Sequence, residues 1–176
     1  MKIEQHHIQN ANKKALKSHQ EHIDFLTNSL TNKGVNVEAV IKKLQDFQVA
    51  IPSWALGAGG TRFGRFSFYG EPSSLEQKIQ DVGLVHSLTQ TAGAVSLHIP
   101  WDIPQDYKAV KELASGLNIK FDAVNSNTFQ DQKNAQESYK YGSLSNTNEA
   151  VRQQAIQHNL DVINIGNQLG SKSLTV

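Results

Sequence analysis

Apolar residues recur along the chain at helical and at strand-like intervals, and the switching between the two predicts its elements. From about residue 5 to 31 the chain is polar and helix-favouring. Ile8, Ala15, Leu16, Ile23, Leu26 and Leu30 fall at roughly helical spacing, and Gly34 is a plausible stop. VEAVIKKLQDF, Val37 to Phe47, predicts a second amphipathic helix. The pattern then changes. VAIPSWAL, Val49 to Leu56, is a short apolar run that predicts a strand, and Pro52 within it requires that strand to be short or irregular. In Ser74 to Ala92 the apolar positions Leu75, Ile79, Val82, Val85 and Leu88 return to helical spacing, with Ser73 or Ser74 as the cap. VSLHI, Val95 to Ile99, predicts a second strand ended by Pro100, and Tyr107 to Leu117 a further helix. IKFDAV, Ile119 to Val124, predicts a third strand. A polar segment follows from Asn125 to Asn146. Asn146 and Glu149 form a capping-box-like start for a helix from about Thr147 to Leu169, and Gly170 ends it. Ser171 to Val176 begins a fourth strand.

From the first strand on, strands and helices alternate, and each crossover is long enough to hold a helix, so parallel pairing follows. The strands are short and apolar, as expected when both faces are covered. Two architectures fit: an open doubly wound sheet, or the first half of an eight-stranded (β/α)8 TIM barrel preceded by N-terminal helices. A full barrel takes about 250 residues; the chain has 176 and stops at SLTV in what reads as a strand. The expectation is therefore the N-terminal part of a longer protein. Residues 1–48 would form a helical segment, and residues 49–176 the first four strands and intervening helices of the barrel.

Composition narrows the function more than the fold. The formal net charge is +1, which gives no argument for nucleic acid or an anionic membrane surface as partner. The absence of cysteine excludes disulfides and thiol catalysis and fits a reducing compartment. The N-terminal stretch MKIEQHHIQNANKK has no apolar core of signal-peptide type, and no apolar run approaches membrane-spanning length. A cytoplasmic protein is expected.

In both architectures ligands bind at the C-terminal ends of the strands. The first strand runs into Ser53 and Trp54; the second into His98, Pro100, Trp101 and Asp102; the third into Asn125, Ser126, Asn127 and Phe129. An imidazole, a carboxylate, two amides and several aromatic rings are thus expected to converge on one rim. Such a set suits a polyhydroxylated ligand, whose C–H faces pack on rings while its hydroxyls need donors and acceptors. Each residue also has a plainer reading. A lone strand-end histidine is more often structural than catalytic, Trp54, Trp101 and Phe129 equally suit core or rim packing, and Asn125 and Asn127 suit turns. His19 and His22 lie on the polar first helix without a metal-binding pattern around them, and His86 and His158 fall within amphipathic helices, where a structural role is expected.

WALGAGGTRFGRF, Trp54 to Phe66, has the look of a phosphate-binding loop. A dinucleotide fingerprint starting at Gly57 fails at Arg62, and a P-loop starting at Gly59 fails at Arg65 and Phe66. The glycines suit a loop that carries Phe63 and Phe66 away from their own strand.

IPSWALGAGGTRFGRF, VSLHIPWD, FDAVNSNTF, SYKYGSLS and GSKSLTV, in that order, resemble the L-rhamnose isomerase/sugar isomerase family, from about Ala50 to the end. The N-terminal helices resemble the family's leading segment only loosely. The resemblance implies a xylose-isomerase-like TIM barrel, assembled as a homotetramer, that interconverts aldose and ketose monosaccharides with two divalent ions, commonly Mn2+. His98 matches the catalytic histidine near the sugar ring oxygen, expected to assist ring opening. Trp54, Trp101 and Phe129 match aromatic walls of the substrate pocket, and Phe63 a phenylalanine that reaches a neighbouring subunit's site. The family's metal ligands lie on later strands, so none is expected in this chain and all are expected beyond Val176. Alone, the chain is expected to be inactive and poorly stable, with open sheet edges. Two alternatives stay open: a sugar epimerase or other metal-dependent enzyme (a lyase among them) on the same barrel, and a non-catalytic carbohydrate-binding fragment.

Overall fold

The computed structural model describes residues 3–57 and 69–176. Phe63, Arg62, Arg65 and the central glycines of the Trp54–Phe66 loop lie outside the described residues. The elements are α1 (Gln5–Thr31), α2 (Val37–Asp46), β1 (Ala50–Pro52) with a 3-10 turn at Ser53–Ala55, α3 (Leu75–Thr89), β2 (Ala94–Ile99), α4 (Tyr107–Gly116), β3 (Lys120–Ser126), α5 (Glu149–Leu169) and β4 (Ser173–Thr175).

Helix starts follow local hydrogen-bond chemistry. The side chains of Asn36, Ser74, Asp106 and Asn148 each accept a bond from a backbone N–H of the first turn of α2, α3, α4 and α5. The α5 start corrects the expected Asn146/Glu149 box. Asn148 is the cap, and Asn146 acts one step earlier, accepting from Asn148 N at 2.9 Å and donating to the Gly142 carbonyl at 2.8 Å. It shapes the approach to the helix, because an amide with both donor and acceptor can close the loop on each side of itself. Gly170 ends α5 in the left-handed conformation, φ 84°, as expected.

The four strands form one parallel sheet in the order β1-β2-β3-β4. A doubly wound sheet reverses its strand order at a switch point. This sheet runs in chain order without reversal, as a sector of a β/α barrel does, which decides between the two architectures. The helices α3, α4 and α5 lie on one side. Leu75, Ile79 and Val82 of α3, Val110 and Ala114 of α4, and Val162, Ile165 and Leu169 of α5 share one core with Val95, Leu97, Ile99 and Val124 of the sheet. Each of the larger side chains buried there contributes about 1.5–3 kcal/mol. Gly166 lets α5 sit against β3, since a Cβ at that position would come within 2.9 Å of Val124 Cγ2. The other sheet face carries Ala50 and Pro52, then Ala94, Ser96 and His98, and Asn125 and Thr175 at its C-terminal end. The strands are therefore apolar on one face and small or polar on the other, which corrects the expectation of apolar strands covered on both.

Between β2 and β3 the register shifts. Val95 pairs with Phe121, but Leu97 pairs with Val124, so β3 has one residue more than β2 across this step. The bulge brings both Phe121 and Val124 to the core, three apart instead of two.

The first helix departs from its periodicity. Of its apolar positions only Ile8 is buried, and Leu16, Phe25 and Leu26 are exposed. Regular spacing predicted the helix but not what covers it, because burial depends on a partner surface.

Candidate functional site

β1, β2 and β3 end on the same side of the sheet, and their C-terminal residues meet around His98. Its imidazole stacks on Trp101, with ring centroids 4.3 Å apart and an interplanar angle of 16°. Trp54 meets it edge-on at 5.4 Å, and Phe129 edge-on at 5.7 Å. Four residues proposed from the sequence are thus brought together, three rings around one imidazole; the fifth, Phe63, is outside the described residues. His98 is 6% exposed, and its Nε2 is buried with no hydrogen-bond partner among the described residues. Burial lowers its pKa below the ordinary value of 6.5. The Asp102 carboxylate opposes that shift, while His158 and Lys78 reinforce it. The ring is neutral near pH 7, with one nitrogen able to donate and the other to accept.

Asp102 was expected on the rim. It turns inward and is 1% exposed. Its Oδ1 pairs with Lys78 Nζ at 2.7 Å, and its Oδ2 accepts from Ser53 Oγ and, at 2.8 Å, from His98 N. Asp102 N donates back to the His98 carbonyl at 3.0 Å. The carboxylate is therefore spent on protein partners, and the groups left around His98 are mainly aromatic. Lys78 escaped the sequence reading, though a signal was there: it lies three residues after Leu75 and four before Val82, on the apolar face of α3.

The amides do not form the turns considered for them. Asn125 lies within β3 and donates through Nδ2 to the Leu97 carbonyl at 2.9 Å. Asn127 donates its backbone N–H to His158 Nε2 at 3.1 Å. Asn127 Oδ1 and Ser126 Oγ are buried and have no partner among the described residues. His158, from α5, has its pKa lowered by burial, opposed by Asp161 and by a hydrogen bond with the Ile99 backbone. It joins the ends of β2 and β3 from the helix side.

Among the described residues there is no group of three or more His, Cys, Asp or Glu side chains able to hold a metal ion. No described helix is long and apolar enough to cross a membrane.

No protein-family model matches the chain. Over 153 residues it is 50% identical to a protein of Rhizobium meliloti described as a "probable sugar isomerase", an alignment covering 87% of this chain and 36% of the relative. Over 147 residues it is 49% identical to a protein of Mesorhizobium japonicum with the same description, covering 84% of this chain and 34% of the relative. The chain spans about a third of the length of the curated relatives it matches. Half of the aligned residues being identical, across more than four-fifths of the chain, supports its place in a sugar isomerase family.

Proposed function

We propose that this chain forms one wall of the sugar pocket of an aldose–ketose isomerase of the L-rhamnose isomerase type, acting on L-rhamnose and related sugars. The observation that carries the reading is the buried, neutral His98 with a partnerless Nε2 inside a frame of three aromatic rings. A pyranose fits such a frame. Its C–H faces pack on rings, and its ring oxygen or anomeric hydroxyl can take the hydrogen bond that Nε2 lacks. A neutral imidazole can also move the proton that ring opening requires, from the anomeric hydroxyl towards the ring oxygen, because its two nitrogens play opposite roles. Opening exposes the carbonyl that the isomerisation then moves.

In this reading the whole protein uses two divalent ions, Mn2+ by preference, as Lewis acids on the open-chain sugar. This reading takes the ligands of the ions to lie outside the described residues, among which no three or more His, Cys, Asp or Glu side chains gather. The whole protein is a cytoplasmic homotetramer, and Phe63 closes the site of a neighbouring subunit. The test is an assay of the full-length protein with L-rhamnose and a panel of related aldoses plus Mn2+. Ketose formation is expected, and none across the panel would reject the reading. Phe63→Ala is expected to weaken sugar binding by about tenfold in the assembled oligomer, the order of one lost aromatic contact. Unchanged affinity would remove Phe63 from the site.

A further inference from the structure

A buried Lys–Asp pair needs an account, because such a pair is seldom a net gain in stability over apolar residues of the same shape. Here Lys78 and Asp102 are 4% and 1% exposed. Their surroundings supply that account. The Asp102 carboxylate collects Lys78 from α3, the Ser53 hydroxyl from the end of β1, and the backbone N–H of His98 from β2. The rings at and just beyond the ends of β1 and β2 are carried by members of this cluster or their immediate neighbours: Trp54 follows Ser53, Trp101 precedes Asp102, and His98 is bound directly. We propose that Lys78 is a positioning residue, which fixes the Asp102 carboxylate and through it sets the mutual placement of His98, Trp54 and Trp101. The role it serves rests on the isomerase reading above; the geometry does not.

The mechanism is geometric. A carboxylate has two oxygens. Lys78 occupies Oδ1, so Oδ2 is held where Ser53 and His98 N converge. Without the ammonium the carboxylate can rotate, and β1 and β2 lose their shared fastening at the pocket end. Among the described residues, the charged or titratable groups acting on His98 are Asp102, Lys78 and His158. Loss of Lys78 removes one of the influences that lower its pKa and leaves the opposing Asp102 carboxylate, which raises it, in place.

The experiment uses full-length protein carrying Lys78→Met or Lys78→Arg, read by NMR of the His98 imidazole and the Trp54 and Trp101 indoles, and by kinetics. In Lys78→Met the His98 pKa is expected to rise, both indole resonances to move, and kcat/KM to fall by about 10–100-fold, the range for displaced reacting groups. Lys78→Arg, which keeps the cation, is expected to recover part of each. A folded Lys78→Met with wild-type His98 titration and unmoved indoles would overturn the proposal. If Lys78→Met does not fold, the Lys78→Met/Asp102→Asn double variant removes both charges and keeps an acceptor for Ser53 and His98 N. Displaced rings in that variant support the proposal, and wild-type ring placement overturns it. The NMR arm reads positioning whether or not the wild-type protein isomerises a sugar, so the two ideas fail separately.

Discussion

The C-terminal end of the sheet holds two histidines in contrasting surroundings, His98 buried and His158 half-buried. His98 lies on the small and polar face, framed by Trp54, Trp101 and Phe129, with Nε2 unpartnered among the described residues. His158 comes from the helix side, and its Nε2 accepts from Asn127 N while the ring also bonds the Ile99 backbone. Burial lowers the pKa of both. A perturbed pKa therefore does not separate the ring proposed to act on sugar from the ring that fastens. What separates them is whether the hydrogen-bonding capacity is already consumed. A buried polar atom left without a partner costs on the order of 1–3 kcal/mol, a cost that a ligand can relieve.

The sharpest way to break this comparison is His98→Asn in the full-length protein. Turnover of cyclic sugar is expected to fall about 100-fold, the lower range for a lost acid–base group, with a much smaller loss on an open-chain analogue. Equal losses on both would remove the ring-opening role. Trp101→Ala should have the next largest effect. Losing the stacked partner is expected to weaken sugar binding about tenfold, and the newly hydrated His98 should titrate at higher pH, visible in its NMR titration. An unmoved titration would show that Trp101 does not shield the imidazole. His158→Ala should instead cost about 1 kcal/mol of stability in chemical denaturation, because the Asn127 N–H loses its acceptor. The ratio of rates on cyclic and open-chain sugar is expected to stay at the wild-type value; a changed ratio would give His158 a share in the chemistry.

The smallest expected effect is on pH dependence. Both histidines have folded pKa values below 6.5. The unfolded chain thus binds protons at these positions before the folded one does, and native stability falls as pH drops below about 6.5. Above that value neither position contributes. Denaturation midpoints measured across this range should show a shallower slope for His158→Gln than for the wild type. An identical slope would mean that His158 does not carry its share.

Much of this could be read along the chain, for identifiable reasons. The strands and helices were legible because core contacts impose spacing, as at Leu75, Ile79 and Val82. The meeting of His98, Trp54 and Trp101 was legible because a parallel sheet brings the C-terminal ends of its strands to one rim. The exposure of Leu16, Phe25 and Leu26 was not, since a periodic face does not name its partner. Nor was the bond from Asn127 to His158, which joins residues 31 apart. Lys78 fell between these cases. Its place on the apolar face of α3 marked it as buried, but its fate depended on Asp102 turning inward, which no local pattern records.

The extra residue in β3 has a consequence for the cluster at the strand ends. With unbroken pairing from Val95 and Phe121, His98 would stand beside Val124, and Asn125 would fall next to Ile99 on the core side. The shift puts Val124 beside Leu97 and Asn125 beside His98. It acts as a phase change between an oily stem and a polar tip within a single strand. The length of β3, as much as the identity of its residues, then decides which chemistry reaches the mouth. Shortening it by one residue would turn the tip inside out, and every side chain beyond the cut would be the right residue on the wrong face.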